Sequence, residues 1–463
     1  MSFALPFSPL MNTTFRRLFA AQVTSLFGAG LTTIALALLA YDMAGDQAGA
    51  VLGTALALKM LAYVIFAPMG AALTAKWPRR ALMVGLDLLR AAIVLLLPWV
   101  SELWHIYTLI FILSLCSAIF TPTFQALIPD VVEGDTEYTR ALALSRLAYD
   151  LENILSPAIA AVLLLVVSYS DFFSANAVTF AVSALLLLAG RLPARKAQQV
   201  PRSFTERLVE GVQVFARTPR LRALLAINLC LAAVVAMQIV NTVVYVRAEL
   251  GLGEQALAWV YTGLGVGAVA GALLVPGIVE RTGERRVMLI AAPALAVLLA
   301  LGCAGPSLAL LIALYVALGA AGALVQTPVG AVLKRSCAQE QRPALFAAQF
   351  SLSHAGFLLC YPLAGWLSAR YGVQFSYLAM AGLALIAALG AWLLWPGDDS
   401  RALQHTHPAQ HHAHWHSHAD GHHCDHSHAE DPGEAPHYHP HYHPQVAHKH
   451  DFVIDYHHSE WPK

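Results

Sequence analysis

Charge is scarce in this chain. Asp, Glu, Lys and Arg make up 12% of its 463 residues, about half the share of a soluble globular domain. An ordinary water-facing surface is therefore excluded for most of its length. The 28 basic residues are matched by 28 acidic ones, so no net field recommends nucleic acid as a partner. Cysteine is sparse as well: Cys116, Cys230, Cys303 and Cys360 fall in apolar runs, Cys337 in a connection and Cys424 near the C-terminus. No Cys-x-x-Cys pair occurs, which excludes a zinc ribbon and leaves no sign of a disulfide framework. There is no Gly-x-x-x-x-Gly-Lys-Ser/Thr phosphate loop and no phosphorylatable aspartate motif, so an ATP-driven pump is disfavoured and an ion gradient remains as the energy source. The early basic residues of a signal peptide are also missing. Arg16 and Arg17 directly precede the first apolar run, which reads as an uncleaved first span.

What the chain does have is hydrophobicity, at 58% of residues and a mean hydropathy of +0.59. Twelve apolar spans are read, near 18–41, 50–74, 82–100, 104–128, 141–167, 172–192, 223–246, 256–279, 287–304, 308–333, 344–369 and 374–396. The expected fold is an all-α integral membrane protein. With the N-terminus in the cytosol, cytosolic connections before the tail hold 20 Lys and Arg, while outer loops hold only Arg247 and Arg370. That asymmetry sets both termini in the cytosol and the chain in the inner (plasma) membrane. Residues 193–222, basic and broken by Pro193, Pro201 and Pro219, form a cytosolic linker between residues 1–192 and residues 223–396. The two halves repeat each other: Ala75-Lys76-Trp77-Pro78-Arg79-Arg80 after span two and Glu280-Arg281-Thr282-Gly283-Glu284-Arg285 after span eight are 205 residues apart. Ser156-Pro157 in span five and Tyr361-Pro362 in span eleven share that offset. Parallel repeats of this kind commonly rock about a site at the bilayer midplane.

The run Pro-x-Gly-x-x-Leu-x-x-Lys-x-x-Arg-Arg at 68–80 resembles the signature loop of major facilitator superfamily transporters, with Ala75 where that motif usually carries Asp and Glu280 keeping the acid in the second half. Ser156-Pro157 resembles the Gly-Pro of the superfamily's antiporter motif, and the basic residue often seen in helix four of proton-drug antiporters is absent. The resemblance covers about residues 14–396. It implies two six-helix bundles, a monomer, and a gate at the signature loops, where Glu280 and Arg281 stand. Asp87 and Arg90, i, i+3 on span three and close after Arg79-Arg80, read as a cytosolic gate pair. The segment Leu144–Asn153, taken with the tail, is similar to the nickel-resistance permeases of this superfamily.

The tail, 397–463, is where histidine gathers: 19 of the chain's 21 lie beyond Arg401. His412, His414, His416 and His418 alternate with other residues, as do His437, His439, His441 and His443. His405/His407, His426/His428 and His448/His450 are further His-x-His pairs, and His411, His422 and His423 add to the density. Alternate side chains of an extended segment share a face, so neighbouring imidazoles can chelate one ion. Neutral imidazole is the ligand, so protons compete with metal near the free pKa of about 6.5. Imidazole suits Ni, Zn, Co and Cu(II) alike, and the single thiol argues against Cu(I). The tail is expected to be disordered without metal. Its proposed role is to buffer or sense cytosolic metal.

Ionisable residues inside membrane spans are costly and stand as functional candidates. Arg146, Asp150 and Asn153 fall on one helical face of span five, with Tyr149, Glu152 and Ser156 on an adjacent stripe. Asp150 or Glu152 can bind a divalent cation and exchange it for protons; the alternative is an Arg146–Asp150 pair that only locks the cytosolic end. His354 aligns with Tyr149 through the 205-residue offset and is either a ligand and proton carrier or a hydrogen-bonded packing residue. Lys59 can snorkel to the outer surface. Gln125, Gln238, Asn241, Gln326 and Gln349 either line the cavity or join helices.

The sequence therefore reads as a secondary transporter rather than an enzyme. It would export Ni²⁺, with Co²⁺ or Zn²⁺ as further cargo, by proton antiport, the metal being both substrate and tail ligand, with protons and membrane lipid as its other partners. The rival is a proton-coupled exporter of an organic solute, a drug or a metal chelate, with the tail as a metal regulator. A sensor built on a transporter-like core is a third class, and the tail shows no signalling domain.

Overall fold

A computed structural model describes residues 8–190, 204–337 and 342–397, with short gaps at 74–76 and at positions between 126 and 161, together with four tail segments. Its helices are α1 (Thr13–Ala44), α2 (Ala48–Leu73), α3 (Arg79–Leu96), α4 (Leu103–Gln125), α5 (Tyr169–Ala189), α6 (Phe204–Arg217), α7 (Pro219–Ala236), α8 (Glu254–Thr282), α9 (Glu284–Leu301), α10 (Leu308–Gln326), α11 (Arg342–Tyr371) and α12 (Val373–Leu394). Among the described residues nine helical stretches are long and apolar enough to cross a membrane, the first of them joining α1 and α2. The expected fifth span, 141–167, falls mostly outside the described residues.

Local chemistry fixes several helix ends. Asn12 caps α1, its Oδ1 accepting from the backbone N–H of Thr14 at 2.9 Å and of Phe15 at 3.1 Å. Gly45, at φ +54°, then turns the chain back toward α2, a conformation that costs glycine little. Asp171 accepts from the backbone N–H of Ser168 at 2.9 Å, closing the start of α5. Arg17 and Arg80 donate to the carbonyls of Ala189 and Leu188 at the C-terminus of α5, where orphan carbonyls favour a cation. The second half repeats this device: Arg285, 205 residues after Arg80, donates to the carbonyl of Trp395 at 3.0 Å, just past α12.

Helices pack by bringing small residues into contact. Gly263, Gly267 and Gly271 of α8 lie against Ile312, Val316 and Ala320 of α10; a Cβ on Gly267 would sit 1.9 Å from the Val316 carbonyl oxygen. Close backbone approach replaces the hydrophobic drive that is missing between helices in lipid. Large apolar side chains face outward instead, as with Leu273 and Leu393, both 77% exposed. The two halves meet chiefly along α2 and α11. At the end that carries the α1–α2 turn the contact is backbone to backbone: a Cβ on Gly365 would lie 2.1 Å from the Gly49 carbonyl oxygen, and one on Gly53 would lie 2.5 Å from that of Tyr361. Arg247 reinforces this end, its guanidinium 5.6 Å from the Tyr41 ring centroid and 3.1 Å from Glu254.

Two expectations need correction. The linker 193–222 is not wholly a loop. Phe204–Arg217 is helical and amphipathic, burying Val214 and Phe215 while Val209 stays exposed, so its apolar residues repeat with a helical period. The tail is not simply disordered either. It carries strands β1 (Ala402–His407), β2 (Gln410–His416), β3 (His437–His443) and β4 (Val446–Asp451), with β1 antiparallel to β4 and β2 to β3. Alternation of His with other residues over seven positions is a strand period, and main-chain pairing satisfies the backbone that a polar composition would otherwise leave to water.

Candidate transport site

The seam between the halves carries a cluster of half-buried ionisable groups. Lys59 and Tyr63 stand one turn apart on α2, so they share a face. His354 faces them from α11, with its ring centroid 5.5 Å from that of Tyr63 and 4.0 Å from that of Phe350. Glu152, from the fifth-span segment, is the acid that acts electrostatically on Lys59, Tyr63 and Tyr361, and Lys59 acts in turn on His354. All of these except buried Tyr361 are half-buried. The segment bearing Glu152 lies against α1 at Gly30, where a Cβ would come within 3.0 Å of Glu152 Oε1 and 2.2 Å of Ser156 Oγ. Only glycine allows this approach. Ser156 is buried at 2% exposure, and its hydroxyl has no hydrogen-bond partner among the described residues.

His354 has a defined donor side. Its Nδ1 lies 2.7 Å from the carbonyl oxygen of Phe350. A carbonyl only accepts, so Nδ1 carries a proton, and in the neutral ring Nε2 keeps its lone pair for a proton or a cation. The arrangement thus offers one carboxylate, one imidazole nitrogen, one ammonium and two phenols around a contact that spans both halves. Lys59 is within electrostatic reach of the Glu152 carboxyl, so a cation bound at Glu152 competes with it.

Other candidates from the sequence are placed elsewhere. Arg146, Asp150 and Asn153 lie outside the described residues, as do His418, His422, His423, His426 and His428. Asp87 and Arg90 form an ion pair buried at 0% and 4% exposure. Ser183 donates to Asp87 at 2.7 Å, and the guanidinium sits 4.1 Å from the Phe120 ring centroid and 4.6 Å from that of Phe180. Each of these contacts lies in the N-terminal half, tying α3 to α4 and α5. Glu280 and Arg281 are exposed at the end of α8. Asn241 joins helices, donating to the Ala364 carbonyl at 3.1 Å and to Ser376 at 3.3 Å, and Asn228 donates to Gln349 at 3.2 Å. Among the described residues of the helical core, no cluster of three or more His, Cys, Asp or Glu forms.

Sequence reasoning passed over three features. Arg79 pairs with Asp130, anchoring the start of α3 to the connection after α4. Buried Arg220 donates to Ser336 Oγ at 2.9 Å. The third is the widening of α7 into π-helical turns at Met237–Asn241 and Tyr245–Glu249, an irregularity often found at functional places. The Arg79–Asp130 and Arg220–Ser336 contacts join residues more than 50 apart and leave no local pattern, whereas Gly30, Gly49, Gly53 and Gly365 were visible as small residues in apolar runs.

The Major Facilitator Superfamily model matches residues 18–253 and 231–420. The chain belongs to this superfamily. Macrolide efflux protein A of Streptococcus pyogenes is 25% identical over 221 residues, 46% of this chain and 54% of that protein; the chain spans about half the length of the macrolide efflux relatives it matches. An uncharacterized MFS-type transporter, YfiS of Bacillus subtilis (strain 168), is 25% identical over 349 residues, covering 71% of this chain and 81% of its own. Among solved structures, a nucleoside transporter NupG mutant superposes with a TM-score of 0.66 at 14% identity, covering 82% of this chain and 100% of that one. A bacterial homolog to the human lysosomal transporter Spinster, inward-facing and unoccupied, also gives 0.66 at 13% identity, covering 85% and 98%. These likenesses establish the transporter fold. As a superfamily member the chain is a multi-pass membrane protein.

Proposed function

We propose that this transporter exports a divalent transition metal, Ni²⁺ first and Co²⁺ or Zn²⁺ as further cargo, from the cytosol by proton antiport, and so confers metal resistance. The observation that carries the reading is the tail: 19 of 21 histidines in 63 residues, four pairs of them opposite one another in strand register. Both termini lie in the cytosol on this reading, so the tail collects metal on the side from which it is expelled. Proton coupling is supported by Glu152 beside Lys59 at the seam, with His354 presenting Nε2 across it. Arg146, Asp150 and Asn153 complete the proposed pathway from the fifth span, and Asp87, Arg90, Glu280 and Arg281 control its cytosolic end. Lifting a divalent ion outward against an inside-negative potential costs about 4.6 kcal/mol per 100 mV. Two incoming protons cancel that charge, so at least two are exchanged per ion.

The test uses inside-out vesicles holding the full chain, with radioactive Ni²⁺ outside and acid inside. Uptake that follows the proton gradient supports export; uptake indifferent to collapse of the gradient refutes the coupling. A second reading, export of an organic solute with the tail as metal regulator, is favoured by the macrolide efflux relatives and by the absence of a three-ligand cluster among the described residues of the helical core. Dye transport without Ni²⁺ uptake in the same vesicles would select it.

A further inference from the structure

The pairing of the tail strands adds what histidine density alone does not contain. In β2–β3, His412 stands opposite His441, His414 opposite His439 and His416 opposite His437. These three rungs are two residues apart, so all six positions fall on one face of the ladder. The intervening rungs, Ala413–Pro440 and Trp415–Tyr438, fall on the other face and carry no histidine. In β1–β4 the rung His405–His448 is flanked on its own face by Leu403–His450 and His407–Val446, while the alternate rungs Ala402–Asp451, Gln404–Lys449 and Thr406–Ala447 carry none.

The spacing decides how these histidines share an ion. Directly opposite Cβ atoms are about 4.5–5.5 Å apart, whereas next neighbours on one face of a single strand are about 7 Å apart, at about 3.4 Å per residue. The rung partner is therefore the nearer histidine position, although it lies 21 or more residues away in sequence. Two adjacent rungs supply four nitrogens, a set that suits square-planar Ni(II) or Cu(II) and tetrahedral Zn(II). Every pair in both ladders follows one register, yet the His–His rungs fall at an odd position in β1 and at even positions in β2, where His411, opposite Tyr442, stands on the other face. The histidine faces therefore have opposite parity, and the change falls between the ladders, where Pro408 and Pro444 stand.

We propose that the tail holds two separate divalent-metal sites, each closed across a strand pair: a larger one over the three histidine rungs of β2–β3 and a smaller one centred on His405–His448 of β1–β4. The inference rests on the reading of the tail as a metal binder and deepens it. Metal is held between the two arms of the tail rather than along one arm, so binding clasps β3 to β2 and β4 to β1. The larger site needs both arms and binds its ion more weakly when either is changed.

Equilibrium dialysis of the purified full chain against Ni²⁺, with bound metal counted, tests this. His414→Ala and His439→Ala should each lower affinity at one class of site by about tenfold, and the double variant should be little worse than either single, because one rung acts as a unit. His414→Ala combined with His448→Ala should instead weaken two classes independently. The proposal is overturned if loss simply tracks the number of histidines removed. It is equally overturned if His412 and His414 couple while His414 and His439 do not, since either result means local chelation along single segments. Dialysis needs no transport, so failure of Ni²⁺ uptake in vesicles with rung coupling intact sinks the export reading alone.

Discussion

The two halves of the membrane core share one fold and differ in where they keep charge. In the N-terminal half, Lys59, Asp87, Arg90 and Glu152 all lie in the interior. At the 205-residue offset their places in the C-terminal half are taken by Leu264, Ala292, Leu295 and Phe357. Ala292 and Leu295 are fully buried where the ion pair stands in the other half, and Ala388 replaces Ser183, which bonds to Asp87. The C-terminal half relies on neutral polar contacts: the hydroxyls of Thr242 and Tyr315 lie 2.6 Å apart, those of Tyr315 and Tyr377 3.3 Å, and Asn241 joins Ser376. Its one interior imidazole, His354, faces the charged half. The difference teaches that the same helix packing is reached with or without a buried ion pair, so charge in the N-terminal half is not demanded by the fold.

That contrast can be broken at the ion pair. Asp87→Ala strands the Arg90 guanidinium in the core and should cost about 3–5 kcal/mol of stability, read as a lowered thermal midpoint in detergent. Asp87→Ala with Arg90→Leu copies the C-terminal pair and should recover most of the loss. If the double variant is stable yet silent in vesicles, the pair belongs to the gate; if it transports, the pair is a brace. Glu152→Gln should next abolish proton-driven Ni²⁺ uptake, about a hundredfold or more, while leaving Ni²⁺ binding to the tail unchanged by dialysis. Uptake at the wild-type rate would move the coupling site to Asp150. His354→Gln keeps a hydrogen-bonding side chain but loses the titratable nitrogen. It should lower uptake by about tenfold (about 1.4 kcal/mol of barrier), with little change in thermal midpoint, whereas a packing role predicts the opposite pattern. Truncation after residue 400 should have the smallest effect, a few-fold drop in the metal concentration that cells tolerate, with transport retained. Complete loss of transport would make the tail part of the pathway.

Much of the core was legible because membrane helices write themselves in composition. The spans 18–41 and 50–74 correspond to α1 and α2, and 374–396 to α12, since a run of about twenty apolar residues has few other stable uses. The offset of 205 announced the repeat, and the Arg80 and Arg285 contacts give it a physical counterpart. Legibility failed where a partner was distant. Asp87 and Arg90 were readable as an i, i+3 pair, but nothing local placed them between Phe120 and Phe180. Glu152 was one of several span-five candidates until Gly30 and Lys59 showed what it faces. In the tail, alternation gave the shared face of His412, His414 and His416, while their partners on β3 could not be read from β2.

Composition and spacing alone identify a membrane chain with two repeating halves and set its histidines in a separate tail. Hydropathy, periodicity and offset are properties of a single line of residues. Packing in three dimensions is what brings α2 to α11 through Gly49, Gly53 and Gly365, sets Lys59, Glu152 and His354 along one seam, and gives each histidine arm a partner. Those contacts depend on which faces come together after helices and strands have formed, and close packing selects one such arrangement among many that the same periodicities allow.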